Sequence, residues 1–180
     1  ERWAEISALA QQQNNRMYLG LASSQFVFGK NEGKVLIRIR RNQQPHFHPQ
    51  GPLLLIAAGT GMALVKAFVE EAEQQHIASG GKMNRREIIV IYGCKNKEDF
   101  PYSEAFLNNE HLTCYPAYSR EAGKKHVQDV LREKQGVVQQ LLGSNDATLV
   151  VCGKLEMGNE VKEIITGVIG ENNMTKMEND

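Results

Sequence analysis

The sequence predicts an α/β fold built on a doubly wound parallel sheet. Three observations carry this expectation. The stretch Gly51 to Phe68 reads GPLLLIAAGTGMALVKAF: an apolar run of strand length from Leu53 to Ala58, a glycine turn, then a helical pattern. Unbroken apolar runs mark strands buried on both faces, the usual state of parallel strands. Further runs of this kind alternate with helical stretches along the chain, and such alternation implies parallel strands joined by crossovers. A chain of 180 residues is long enough for one good core and a small appendage.

In order, Glu1 to Gln13 reads as a helix with Trp3, Ile6, Leu9 and Ala10 on one side. Lys34 to Arg40 alternates apolar and cationic residues, as half-buried strands do, and Arg41 to Gln50, with Pro45 and Pro49, reads as a connector and domain boundary. Beyond it the predicted strands are Leu53–Ala58, Glu87–Cys94, Leu112–Tyr118 and Ala147–Gly153. Between and after them come helices over Met62–His76, Tyr102–Asn109, Lys124–Leu142 and Met157–Ile169. In the long third helix Val127, Val130, Leu131, Val138 and Leu142 should face inward. Glu171 to Asp180 is polar and reads as a disordered tail.

Composition removes several function classes. Basic and acidic residues balance at 21 each, so net charge points to neither nucleic acid nor an anionic membrane. No apolar run approaches the roughly 18 residues of a membrane span, and the first residues do not read as a signal peptide. Cys94, Cys114 and Cys152 are far apart, which speaks against a zinc site or a disulfide framework and for a reducing, cytoplasmic setting. His46 and His48 form an HxH pair with no third ligand placed by spacing, so no metal is expected.

In an open parallel sheet, ligands bind beyond the carboxyl ends of the strands. Gly59-Thr60-Gly61, Cys94, Ser119-Arg120 and Cys152 should converge there. Glycines admit an anion close to the backbone, and the first N–H groups of the following helix lack internal partners and point at it. A tight turn without a ligand would use the same residues. Ser119, Arg120, Lys124 and Lys125 gather a hydroxyl and cations at a strand end and at the expected helix start, where the dipole disfavours cations. A phosphate would account for the cluster, and so would a solvated corner near Glu121 and Asp129. Cys152 ends a strand, where a cysteine usually packs as a small hydrophobe.

Four segments, AAGTGMALVKAFVEEA, KMNRREIIVIYGCKNKEDFPYSEAF, AYSREAGKKHVQDVLRE and LVVCGKLEMGNEV, resemble in order and interval the NADPH-binding domain of the diflavin reductases. That family includes cytochrome P450 reductase, the sulfite reductase flavoprotein and nitric oxide synthase, to whose YSRE…KKYVQD segment this chain is most similar. The resemblance implies a ferredoxin-NADP reductase-like NADP-binding domain over residues 51–170 with strand order 3-2-1-4. Residues 1–50 would then be a remnant of the FAD-binding β-barrel domain and its connector. By the same resemblance, Gly59, Thr60 and Gly61 would hold the NADP pyrophosphate, with Cys94 at the neighbouring strand end. Ser119, Arg120 and Lys124 would take the 2′-phosphate, and Gln128 would lie near the adenosine. Cys152 would be the catalytic residue beside the nicotinamide, and Gly20 and Ser23 would contact FAD. The implied activity is hydride transfer from NADPH to FAD, with electrons passing on to FMN or another acceptor. Ala57 and Ala58 replace the family's glycine and proline before the GTG, His126 replaces an aromatic residue, and Lys154 an acidic one. The family's flavin-gripping arginine-tyrosine-serine motif and C-terminal strand are not among these residues. The chain would therefore need a flavin-binding chain or domain as partner, and the alternative is a module that keeps the fold without flavin chemistry.

Overall fold

A computed structural model describes residues 50–101 and 111–179, together with Arg38. The chain divides into two units between Gln43 and Gln44, and the fold below belongs to the second. The helix expected over Glu1–Gln13, the strand expected over Lys34–Arg40 (Arg38 aside), the helix expected over Tyr102–Asn109, and Gly20, Ser23, His46 and His48 lie outside the described residues.

Four strands form one sheet: β1 (Leu53–Ala58), β2 (Ile88–Cys94), β3 (Leu112–Tyr118) and β4 (Thr148–Cys152). Their order is β3-β2-β1-β4 and every pairing is parallel, as the resemblance implied. Registers are clean, with Ala57 opposite Tyr92 and Cys152, and Cys94 opposite Tyr118. The described helices are α1 (Met62–Ala78), α2 (Val127–Glu133), α3 (Gln135–Leu142), α4 (Leu155–Ile169) and α5 (Glu171–Asn179).

The two faces of the sheet make two cores. Leu53, Leu55, Ala57, Val90 and Tyr92 pack with Met62, Val65 and Val69 of α1. Leu54, Ile56, Ile89 and Ile91 pack instead with Val127, Val130, Leu131, Val138, Val161 and Ile165 of α2, α3 and α4. Because successive strand residues point to opposite faces, one apolar run supplies both cores, which is why β1 has no polar position. The central strands are buried almost throughout, whereas β3 and β4 are only partly buried, as edges of the described sheet.

Three expectations need correction. The helix expected to start at Lys124 starts at Val127, because Gly123 has φ +100° and Lys124 φ +20°, neither of them helical. Asp129 sets the new start by accepting the His126 N–H at 2.9 Å. The same helix is interrupted at Lys134 (φ −104°, ψ 16°), whose N–H reaches both Val130 and Leu131 carbonyls. Gly136 weakens helical continuity there, and the Lys134 ammonium sits 4.9 Å from the centre of the Tyr115 ring. The tail expected to be disordered forms α5, after a break at Gly170 (φ +85°). Met174 and Met177, three residues apart and so on one helix face, join the α2–α4 core.

Candidate functional site

Parallel strands end together, so one rim of the sheet collects Gly59–Gly61 after β1, Cys94 at the end of β2, Ser119–Arg120 after β3 and Cys152 at the end of β4. Across the rim the order is cationic loop, Cys94, glycine turn, Cys152. Strands lie about 4.8 Å apart, so β3 and β4 are separated by roughly 14 Å.

The glycine turn is a single 3-10 turn leading into α1. Gly59 adopts φ +57°, a left-handed conformation open to glycine at little cost, and a side chain there would meet open space. Gly61 has an ordinary φ of −59° but no room. A Cβ on it would lie 2.8 Å from the Cys152 carbonyl oxygen and 3.2 Å from the Cβ atoms of Ala57 and Cys152. Glycine therefore lets the turn seat directly against the end of β4. The Met62 N–H bonds back to the Gly59 and Thr60 carbonyls. The N–H groups ahead of it have no helical carbonyl one turn back. On the α1 side, the Tyr92 hydroxyl donates to the Gly59 carbonyl at 2.9 Å, and the Tyr92 ring meets Phe100 edge to face at 5.4 Å.

The loop after β3 is held by its backbone. Ser119 N–H and its hydroxyl both donate to the Cys94 carbonyl, at 3.0 and 3.2 Å, and Arg120 N–H donates to the Lys95 carbonyl at 2.8 Å. Lys125 N–H returns to the Tyr118 carbonyl, and the Glu121 carboxylate accepts the Lys97 N–H. The Ser119 hydroxyl proton is thus engaged inside the protein. Lys125 is paired with Glu133 at 2.7 Å. Arg120 and Lys124 are exposed and join no ion pair among the described residues. Gln128 is half-buried in the first turn of α2.

The thiols differ in surroundings. Cys94 donates to the Asn96 carbonyl, and burial, with Asp99 and Glu121 nearby, pushes its thiol up from the ordinary range. Burial, with Cys94 as a smaller contributor, pushes Cys114 up to about 12. Both are protonated at neutral pH and are poor nucleophiles. Cys152 is half-buried on the α1 face, beside the glycine turn.

The sequence brought the four strand ends together correctly. Overlooked were the Tyr92 hydroxyl on the turn and the Glu121 lock on the loop, both tertiary pairings with no local pattern. At the opposite end of the sheet, the half-buried Arg86 donates to the Gly51 carbonyl and to Thr148, tying β1 to β4. An open hollow of about 420 Å³ lined by Pro52, Glu87, Val137 and Leu141 lies at that end, away from these groups. Among the described residues no cluster suited to a metal ion occurs, and no helix is long and apolar enough to cross a membrane.

Residues 55–163 match the family model described as the oxidoreductase NAD-binding domain. The chain is 30% identical over 148 residues to NADPH–cytochrome P450 reductase of Drosophila melanogaster, covering 78% of this chain and 21% of that protein. It is also 30% identical over 133 residues to NADPH-dependent diflavin oxidoreductase 1 of Candida albicans, covering 71% and 21%. A self-sufficient cytochrome P450 monooxygenase of Phanerodontia chrysosporium is 32% identical over 167 residues, covering 86% and 15%. The chain thus spans about a fifth or less of the length of these curated relatives.

Proposed function

The chain belongs to the oxidoreductase NAD-binding domain family, in the form found as the NADPH-binding domain of diflavin reductases, and from that premise we propose that it holds NADPH for hydride donation to a flavin. One observation carries the reading. The groups along the rim run in the order in which NADPH presents its own. A dinucleotide laid from β3 to β4 would bring its 2′-phosphate to Arg120 and Lys124, with Gln128 on the adenosine side. Its pyrophosphate would meet the turn Gly59, Thr60 and Gly61, with Cys94 beside it, and its nicotinamide would reach Cys152.

The residues fit such a ligand. Gly59 leaves open space above the turn, and Gly61 keeps the turn against β4 so that pyrophosphate and nicotinamide sites stay in contact. Arg120 offers a planar fork of donors and Lys124 a point charge, and neither is spent on a protein carboxylate among the described residues. Ser119 serves mainly to fix the loop, since its hydroxyl already donates to Cys94. Cys152 would act as the catalytic residue by contact with the nicotinamide ring, orienting the transferable hydrogen. A bound flavin supplies the hydride acceptor and the route to single-electron chemistry. Gly20 and Ser23 are the residues proposed to contact FAD, and a flavin-binding domain or chain is the proposed partner.

Calorimetric titration of the full chain with NADP and NAD tests this. NADP should bind at least tenfold tighter. Equal affinities would remove the 2′-phosphate site, and no binding of either would leave a module that keeps the fold without its nucleotide.

A further inference from the structure

Tyr92 is a buried residue of the central strand β2, and its hydroxyl reaches beyond its own strand. It crosses to the neighbouring strand end and donates to the Gly59 carbonyl at 2.9 Å. Its ring is fixed by Phe100, edge to face at 5.4 Å, and by the core against α1. Gly59 is the most conformationally free residue of the turn, with φ +57° and nothing near its Cα substituent position. The most permissive peptide of the turn is therefore the one held by a buried side chain.

The geometry of the peptide unit turns this into a statement about binding. In a trans peptide the C=O and N–H point in opposite directions, and no cis bond occurs among the described residues. The Gly59 carbonyl shares its peptide plane with the Thr60 N–H. Fixing that carbonyl towards Tyr92 aims the Thr60 N–H the other way, away from β2. Without the hydroxyl, the glycine's freedom would let this plane rotate. The Met62 N–H also reaches the Gly59 carbonyl, but the same donor is shared with Thr60, so it constrains the plane less well alone.

We propose that Tyr92 is a positioning residue for the nucleotide pyrophosphate: through the Gly59 carbonyl it aims the Thr60 N–H at the ligand. This rests on the reading that the turn receives a pyrophosphate. The predicted consequence is a split between two halves of one ligand. NADP uses both the turn and the basic loop, whereas adenosine 2′-monophosphate carries the 2′-phosphate and no pyrophosphate.

The test compares the full-length wild-type chain with Tyr92→Phe, which keeps the ring and its contact with Phe100. Each is titrated with NADP and with adenosine 2′-monophosphate. The variant should bind NADP about five- to tenfold more weakly, the size of one lost hydrogen bond's effect, and the monophosphate unchanged within twofold. Amide exchange at Met62, whose N–H shares the Gly59 carbonyl, should also quicken in the ligand-free variant. Unchanged NADP affinity, or equal losses for both ligands, overturns the positioning role. Should Tyr92→Phe fold poorly, Phe100→Leu provides the second arm: it loosens the ring yet keeps the hydroxyl, and a loss confined to NADP supports the role while an equal loss overturns it. Wild-type chain that binds the monophosphate as tightly as NADP overturns the pyrophosphate reading itself, and this inference with it.

Discussion

The glycine turn after β1 and the loop after β3 lie on the same rim and are proposed to meet the same ligand, yet they are built on opposite principles. The turn carries no charge. It offers backbone N–H groups in a shape set by tight packing against Cys152 and by the Tyr92 hydroxyl. The loop offers exposed charge at Arg120 and Lys124, on a backbone pinned to β2. Shape should tolerate salt and resist substitution; exposed charge should yield to salt and be replaceable without harm to the fold.

The sharpest way to break that contrast is Gly61→Val. Its Cβ would press on a backbone carbonyl that cannot swing aside, so unfolding free energy should fall by about 3 kcal/mol, read from urea melts. A loss below about 0.5 kcal/mol would show that β4 yields and that the turn is not set by packing. Next in size is Arg120→Ala. Stability should hold within about 0.5 kcal/mol. NADP affinity should drop ten- to a hundredfold, NAD affinity should not change, and the loss should shrink in high salt, all measurable by calorimetry. A large loss of NAD affinity would mean that the loop acts through shape after all.

What lies beneath the loop sharpens the contrast further. Burial holds Cys114 up at about 12 against an ordinary 9.0, and raises Cys94 and Tyr118 as well. In this window the unfolded chain releases thiol protons that the folded chain keeps. Stability should therefore fall as pH rises above about 9 and level off only beyond about 12, with about 1 kcal/mol lost by pH 10 through Cys114. Urea melts at pH 8 and pH 10 give the loss, and Cys114→Ala should reduce it; an undiminished loss would place its source elsewhere. The smallest effect belongs to Ser119→Ala. One of two donors to the Cys94 carbonyl goes while the Ser119 N–H remains, so stability should drop by about 0.5 kcal/mol and NADP affinity less than threefold. A tenfold loss of NADP affinity would instead assign the hydroxyl to the ligand.

Legibility in the sequence followed the physics of each region. The run Leu53–Ala58 matches its strand to the residue because burial on both faces leaves an uninterrupted apolar record. Leu112–Tyr118 matches too, although Thr113 and Pro116 interrupt its apolar pattern and the strand is only partly buried. The start of α2 was misread because Lys124 and Lys125 are good helix formers, and only the backbone angles at Gly123 and Lys124 exclude them. In α5 two methionines three residues apart were too sparse a signal in a polar tail, although Met174 reaches the core. The site residues could be grouped by strand ends, but the partners of Tyr92 and Glu121 are 33 and 24 residues away in sequence and left no trace in local pattern.

The loop after β3 is fastened by the N–H groups of Ser119, Arg120, Lys124 and Lys125, each donating to a backbone carbonyl. Any residue but proline supplies such a donor. The scaffold is therefore indifferent to which letter is written at 120, and at 124 it asks only for a side chain that tolerates a φ of +20°. If the proposed 2′-phosphate site is right, coenzyme preference can be rewritten by exchanging two side chains while every fastening stays in place. At this rim the exposed side chains of the loop can change at little structural risk, whereas the glycine turn, packed against Cys152 at Gly61, cannot.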